Sequence, residues 1–204
     1  MSRGGGRKFK QGDLISVFVY IGKNEPADRK TISKYFSIGE GSIRTILDML
    51  VSGNLIKKHR NGNRLSINGK NLYTRLTDYI TIPEQVGFDI FGDSYTSFFS
   101  LIHNPDKEWL NQFYKLRDHA IREGCYSAML LLCENDRIII PGVDIDYTDK
   151  RGLFGCSDGD AVIICSAEDI AAVYRGIFTI ASYLSEDIDR FIRNILSLLP
   201  LHCH

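Results

Sequence analysis

Apolar side chains recur at helical spacing through LISVFVYIGKN, where Leu14, Val17, Phe18 and Ile21 share one stripe and Asp13 just before them has the chemistry of a helix cap. Pro26 ends that element. Asp28 then opens RKTISKYF as an N-cap, with Ile32, Tyr35 and Phe36 turned inward. After the turn SIGEG, the segment SIRTILDMLVSGN places Ile43, Ile46, Leu47 and Leu50 at i, i+3, i+4 and i+7, which is one buried face. Ser42, Arg44, Thr45 and Asp48 take the opposite face, and Gly53 stands where a left-handed C-terminal residue suits glycine best. The period then changes. Residues 55–60 and 64–67 read as strands around Asn61-Gly62, the strongest short-range hairpin signal, and NGKNLYTRLTDYI returns to helical spacing through Leu72, Leu76 and Tyr79.

Residues 81–93, TIPEQVGFDIFGD, mix Pro, Gly and acids without a clear period and read as a linker. A strand pattern follows in SYTSFFSLIH, and Asn104-Pro105 forms the start of a helix carrying Trp109, Phe113, Leu116 and Ala120 on one stripe, with Gly124 as its stop. YSAMLLLC, IIIPG and DAVIICS are short apolar runs of strand length. Ser166 and Asp169 have the form of a capping box for EDIAAVYRGIFTIASYL, a helix apolar on nearly every side and therefore expected in a core or a subunit interface. A last amphipathic helix runs from Ser185 with Ile188, Phe191, Ile192, Ile195 and Leu199 on one face. The predicted fold is α+β: an N-terminal helical domain with a hairpin, then a C-terminal domain with a mainly antiparallel sheet and helices packed on it. The boundaries expected are a flexible basic arm at 1–11, a first domain at 12–80, the linker at 81–93 and a second domain at 94–204.

Charge changes this picture more than composition does. The 204 residues hold 25 Lys+Arg and 25 Asp+Glu, a formal balance of zero. Up to residue 80, however, there are 15 basic against 6 acidic side chains, net +9, and beyond it the balance reverses to net −9. Halves of opposite sign point to different partners, and the basic half points to a polyanion. No stretch is long and apolar enough for a membrane helix, and MSRGGGRKFK has no apolar core of a signal peptide, so a cytoplasmic protein is expected, with no membrane partner. The five cysteines form no CxxC pair and read as reduced thiols.

The order helix, helix, turn, helix, hairpin, helix, and above all FSIGEGSIRTILDMLVSGNLIKKHRNGNRLSING, resembles the winged helix-turn-helix domain of transcription regulators over residues 12–80. That resemblance implies a helix at 41–52 lying in the major groove of duplex DNA and a wing at 55–67 touching the flanking backbone or minor groove. Carried onto this sequence, Ser42, Arg44 and Thr45 would read base edges, Arg44 as a bidentate partner of guanine worth roughly 1–3 kcal/mol of discrimination. Lys57, Lys58, Arg60 and Arg64 would neutralise phosphates, with Asn61 and Asn63 at the tip. Four to six phosphates per protomer would give a slope of log K on log salt of roughly −4 to −5. The stretches LRDHAIREGCYSAMLLLCENDRIIIPGVD and SDGDAVIICSAED resemble an uncharacterised archaeal family that joins a winged helix to a C-terminal domain of unknown function.

These readings imply a DNA-binding transcription regulator. A homodimer through the C-terminal domain follows from the module's habit of reading two half-sites and from the apolar excess of residues 168–199; an unidentified small-molecule effector is compatible with that domain's size. An enzyme or small-molecule-binding protein with an appended winged helix, and a winged helix that contacts protein, are the competing readings. Against catalysis, no Gly-rich phosphate loop, HExxH helix or GxSxG elbow occurs, and no catalytic residue, cofactor or metal is expected. The acids Asp144, Asp146, Asp149, Asp158 and Asp160 lack EF-hand spacing, and His202, Cys203 and His204 are too close together for a closed metal site. His119 and Cys125 lack a third partner in sequence for catalysis.

Overall fold

A computed structural model describes residues 9–110, 112–141, 143, 147–148 and 151–199. Asp144, Asp146, Asp149, His202, Cys203, His204 and most of the basic arm lie outside them. The fold is α+β, as expected, in two compact units: one runs to Arg75 and takes in the chain again from Phe191, and the other is Leu76–Arg190.

The first unit is built from α1 (Gln11–Lys23), α2 (Arg29–Phe36), α3 (Glu40–Ser52), a hairpin of β1 (Ile56–His59) and β2 (Gly62–Leu65), and most of α4 (Ile67–Thr77). The predicted stripes meet in its core: Leu14, Val17, Phe18, Ile21, Ile32, Ile43, Ile46 and Leu50 are all fully buried, each such side chain contributing about 1.5–3 kcal/mol. Asp28 caps α2 by accepting the N–H groups of Lys30 and Thr31 at 2.9 and 3.1 Å.

Two local expectations change. Helix α1 begins at Gln11, so Asp13 sits inside its first turn, where its carboxylate accepts the Lys10 N–H at 2.7 Å. Gly53 has φ −75°, and the left-handed residue is Asn54 at φ 55°. What Gly53 requires is space: a Cβ there would stand 2.9 Å from Leu199 Cδ2 and 3.0 Å from the Leu198 carbonyl. That contact places Leu198 and Leu199 in the first unit, together with Phe191, whose ring centroid lies 6.3 Å from that of Phe18. The last helix, α9 (Glu186–Ser197), thus belongs only in part to the domain expected at 94–204. Periodicity showed which face of it is apolar, not what that face meets.

The second unit holds a five-stranded sheet of order β3-β4-β7-β5-β6, antiparallel at every pairing, from β3 (Glu84–Gln85), β4 (Thr96–Ile102), β5 (Ser127–Glu134), β6 (Arg137–Ile139) and β7 (Ala161–Ala167). The expected linker 81–93 contributes to this sheet. Thr81 donates to the Leu101 carbonyl at 3.0 Å, Glu84 and Gln85 pair with Phe99 and Phe98, and Val86 donates to Ser97. Asn135 and Asp136 both take positive φ, which makes the tight turn between β5 and β6. The expected long helix from Asn104 is two pieces, α5 (Lys107–Leu110) and α6 (Phe113–Glu123), and Gly124 stops the second at φ 105°.

Helices α6 and α8 (Ile170–Leu184) cover one face of the sheet. Ser166 does not cap α8 as expected; its hydroxyl donates to Asp93 at 2.5 Å. Arg175 in α8 is buried, but its guanidinium donates to the Glu123 carboxylate at 3.2 Å and to the Glu123 carbonyl at 2.8 Å, so its charge is compensated. The other face carries Leu101, Leu131, Val162 and Ile164 under Val86 and Phe154, the last in the short helix α7 (Arg151–Phe154).

Cys133 and Cys156 are joined in a disulfide within that second layer, with Cα atoms 6.4 Å apart, which corrects the expectation of reduced thiols throughout. Spacing in the sequence could not reveal a pair brought together by a strand and a distant turn. Cys125 and Cys165 are free and buried, and burial pushes the Cys165 thiol well up. Closing a loop across a separation of 23 residues should stabilise this unit by about 3–4 kcal/mol. Urea denaturation with and without reductant measures it; coincident midpoints would deny the bond a stabilising role.

Candidate nucleic-acid interface

Polar positions of α3 face solvent because its apolar stripe faces the core: Arg44 and Thr45 are exposed and Ser42 half-exposed. The hairpin follows in tight register, Ile56 opposite Leu65, Lys57 opposite Arg64, Lys58 opposite Asn63 and His59 opposite Gly62. The reversal therefore falls on Arg60 and Asn61, one residue earlier than expected, with Gly62 as the first residue of β2 at φ 131°. Glycine is needed there twice over, since a Cβ would also stand 2.9 Å from the Ala27 carbonyl carbon.

Lys57, Lys58, Arg60, Asn61 and Arg64 are all exposed, as a role in contacting a partner requires. Asn63 is not. It is buried; its backbone N–H donates to the Ala27 carbonyl at 2.8 Å, its own carbonyl accepts the Ala27 N–H at 3.0 Å, and its side-chain amide donates to the Ala27 carbonyl at 2.9 Å. Asn63 ties the hairpin to the segment before α2, a structural role in place of the tip contact expected of it.

Between the start of α2, α3 and the hairpin lies an open groove of about 630 Å³. Its lining includes Arg29, Lys30, Arg44, Lys58 and Arg60 against a single carboxylate, Asp28. Arg29, Lys30 and His59 also line this groove without having been expected as contacts; for Arg29 and Lys30 the available signal was the basic pair directly after the Asp28 cap.

Two acids on α3 moderate this field. Glu40 pairs with Arg29 at 2.9 Å, and Asp48 accepts from Lys58 at 2.5 Å. The Lys58 hydrogen bond, helped by the charges of Lys58 and Arg44, holds the Asp48 carboxyl below its usual value. With its folded pKa depressed, whatever Asp48 adds to stability is present above the ordinary carboxylate value and lost as pH falls through the lower folded one. Lys58 is thus partly engaged within the protein, whereas Lys57, Arg60 and Arg64 form no ion pair among the described residues.

Elsewhere, the remaining candidate groups are not assembled into a site. His119 stacks on Tyr183 with centroids 4.7 Å apart, while the Cys125 thiol donates to the Ala172 carbonyl at 3.3 Å. Asp158 accepts the Asp136 N–H, and Asp160 accepts the Ser157 N–H and contacts His103 Nδ1 at 2.9 Å. No group of three or more His, Cys, Asp or Glu that could hold a metal occurs among the described residues. None of the described helices is long and apolar enough to cross a membrane.

Both halves of the chain match family models. Residues 12–71 match the PH0730-like N-terminal domain, and residues 96–184 match a domain of unknown function, DUF4443. The fold is similar to that of a solved structure described as hypothetical protein PH0730 from Pyrococcus horikoshii OT3, with a TM-score of 0.75 and 26% identity over 92% of this chain and 100% of that one. No curated protein matches. These likenesses agree with the expected kinship to an uncharacterised archaeal family and assign no activity.

Proposed function

We propose that this protein is a sequence-reading, duplex-DNA-binding transcription regulator, that its first unit is a winged helix, and that it acts as a homodimer through its second unit without catalysis. The observation that carries this reading is the groove beside α3, where five cations and one carboxylate line a single open surface. A spaced row of guanidinium and ammonium groups matches the spaced charges of a phosphate backbone, and releasing condensed counterions supplies the affinity. Arg44, exposed on α3 and facing that groove, is the side chain suited to a guanine edge. Lys57, Arg60 and Arg64 hold the protein on the backbone and add no base preference.

Fluorescence anisotropy with a random duplex at two salt concentrations tests the electrostatic half. Binding should weaken steeply as salt rises, by roughly four to five decades in K per decade of salt. Absent or salt-insensitive binding would overturn the DNA reading. Selection from a random duplex pool tests the other half, and a motif with two-fold symmetry is the expected product.

A further inference from the structure

The outer edge of β5 is paired along only part of its length. On its inner side, Ser127 to Leu132 pair with β7. On its outer side the ladder with β6 takes up Leu132, Cys133 and Glu134, leaving Ser127 to Leu131 without a strand partner among the described residues. That stretch reads SAMLL, with no charge, lysine or proline of the kind that keeps other chains off an exposed edge. An open groove of about 550 Å³ straddles it, with Arg117, Asp118 and Ile121 of α6 on one side and Phe91 and Ile140 on the other.

Helix α6 carries a second stripe beside this edge, distinct from its buried one. Tyr114, Arg117, Asp118 and Ile121 stand at i, i+3, i+4 and i+7, with Tyr114 60% and Ile121 42% exposed, so the stripe offers apolar area at both ends of a charged pair. The stripe is self-complementary when two copies lie antiparallel: Tyr114 then meets Ile121, and Arg117 meets Asp118. Within one chain Arg117 reaches Asp118 at only 3.5 Å, with both side chains more than half exposed, a weak pairing that a better partner would replace.

We infer that the β5 edge and the Tyr114-Arg117-Asp118-Ile121 stripe together form a two-fold interface between copies of this chain, β5 joining β5 of the partner into one continuous sheet. This deepens the homodimer part of the reading above and rests on it. An axis normal to the sheet keeps both copies of α6 on the same face and makes both strand and helix pairs antiparallel. The two elements also agree on where the axis passes. The midpoint of Arg117 and Asp118 lies about 8 Å back from the end of α6 at Glu123, and Met129, the centre of the unpaired stretch, about 7 Å into the strand from Ser127. Joined by a short turn, the two points stand side by side.

Sedimentation equilibrium of the full chain without DNA tests it. The wild type should be a dimer. Arg117→Asp and Asp118→Arg should each raise the dimer dissociation constant at least about tenfold by setting like charges face to face, and the double exchange should restore it. Equimolar mixing of the two single variants should give a heterodimer tighter than either homodimer. Circular dichroism matching the wild type ensures that a weakened dimer is not a misfolded one. Wild-type dimers untouched by either variant would overturn this surface and leave the homodimer reading standing. A monomeric wild type would overturn both, while salt-dependent anisotropy judges DNA binding separately.

Discussion

Replacing Lys57, Arg60 and Arg64 together by alanine is expected to lower affinity for every duplex by roughly a thousandfold at low salt and to flatten the salt slope by about three. These three are exposed and free of ion pairs among the described residues, so nothing inside the protein is lost with them. Lys58→Ala should do less on its own. Its ammonium is already shared with Asp48 at 2.5 Å, so part of its charge is spent within the protein. Arg44→Ala differs in kind: a guanidinium on a base edge discriminates, so preferred and random duplexes should come closer together by roughly 1–3 kcal/mol with little change in slope. Anisotropy titrations against both duplexes at several salt concentrations separate these effects. Equal losses and equal slopes for the triple variant and Arg44→Ala would defeat the division between backbone holding and base reading.

What the sequence made legible is what neighbours in sequence decide. The stripe Ile43, Ile46, Leu47, Leu50 is buried as its spacing predicts, Asp28 caps α2, and the Asn-Gly signal marks a real hairpin. The exposed members of the candidate interface follow from the same rule, since a helix with one buried face must show the other. What was not legible depends on partners far along the chain. Asn63 has the composition of a tip residue, yet Ala27, 36 positions earlier, takes both its backbone and its side chain. Residues 81–93 look aperiodic because an edge strand two residues long cannot display a period. Cys133 and Cys156 meet across a fold, and Asp48 reaches Lys58 from helix to hairpin. Periodicity reports a face, and only the fold reports what that face meets.

Gly69→Ala should cost the first unit about 3–5 kcal/mol, whereas Gly41→Ala should add about 0.5–1 kcal/mol, although both put a better helix former into a helix. The difference is entirely tertiary. Gly69 lies in the first turn of α4, where its N–H donates to Ser66 Oγ at 2.9 Å, and a Cβ there would stand 2.0 Å from the Leu55 carbonyl oxygen. That carbonyl accepts the Ser66 N–H at 3.0 Å, and the Ser66 hydroxyl in turn donates to the Asn54 carbonyl at 2.6 Å. The obstacle is therefore backbone held from two directions, and relief would require α4 to move away from the entry to the hairpin. No rotamer change can absorb it. Around Gly41, by contrast, nothing lies within 4 Å of an added Cβ, and helix α3 would gain only from the lower backbone entropy of the unfolded chain. Hydrogen exchange of peptides spanning residues 11–75 reads both changes within this unit alone. If Gly69→Ala left exchange there as slow as in the wild type, the close packing of α4 against the segment leading into β1 would be disproved; that packing also fixes where the hairpin cations stand.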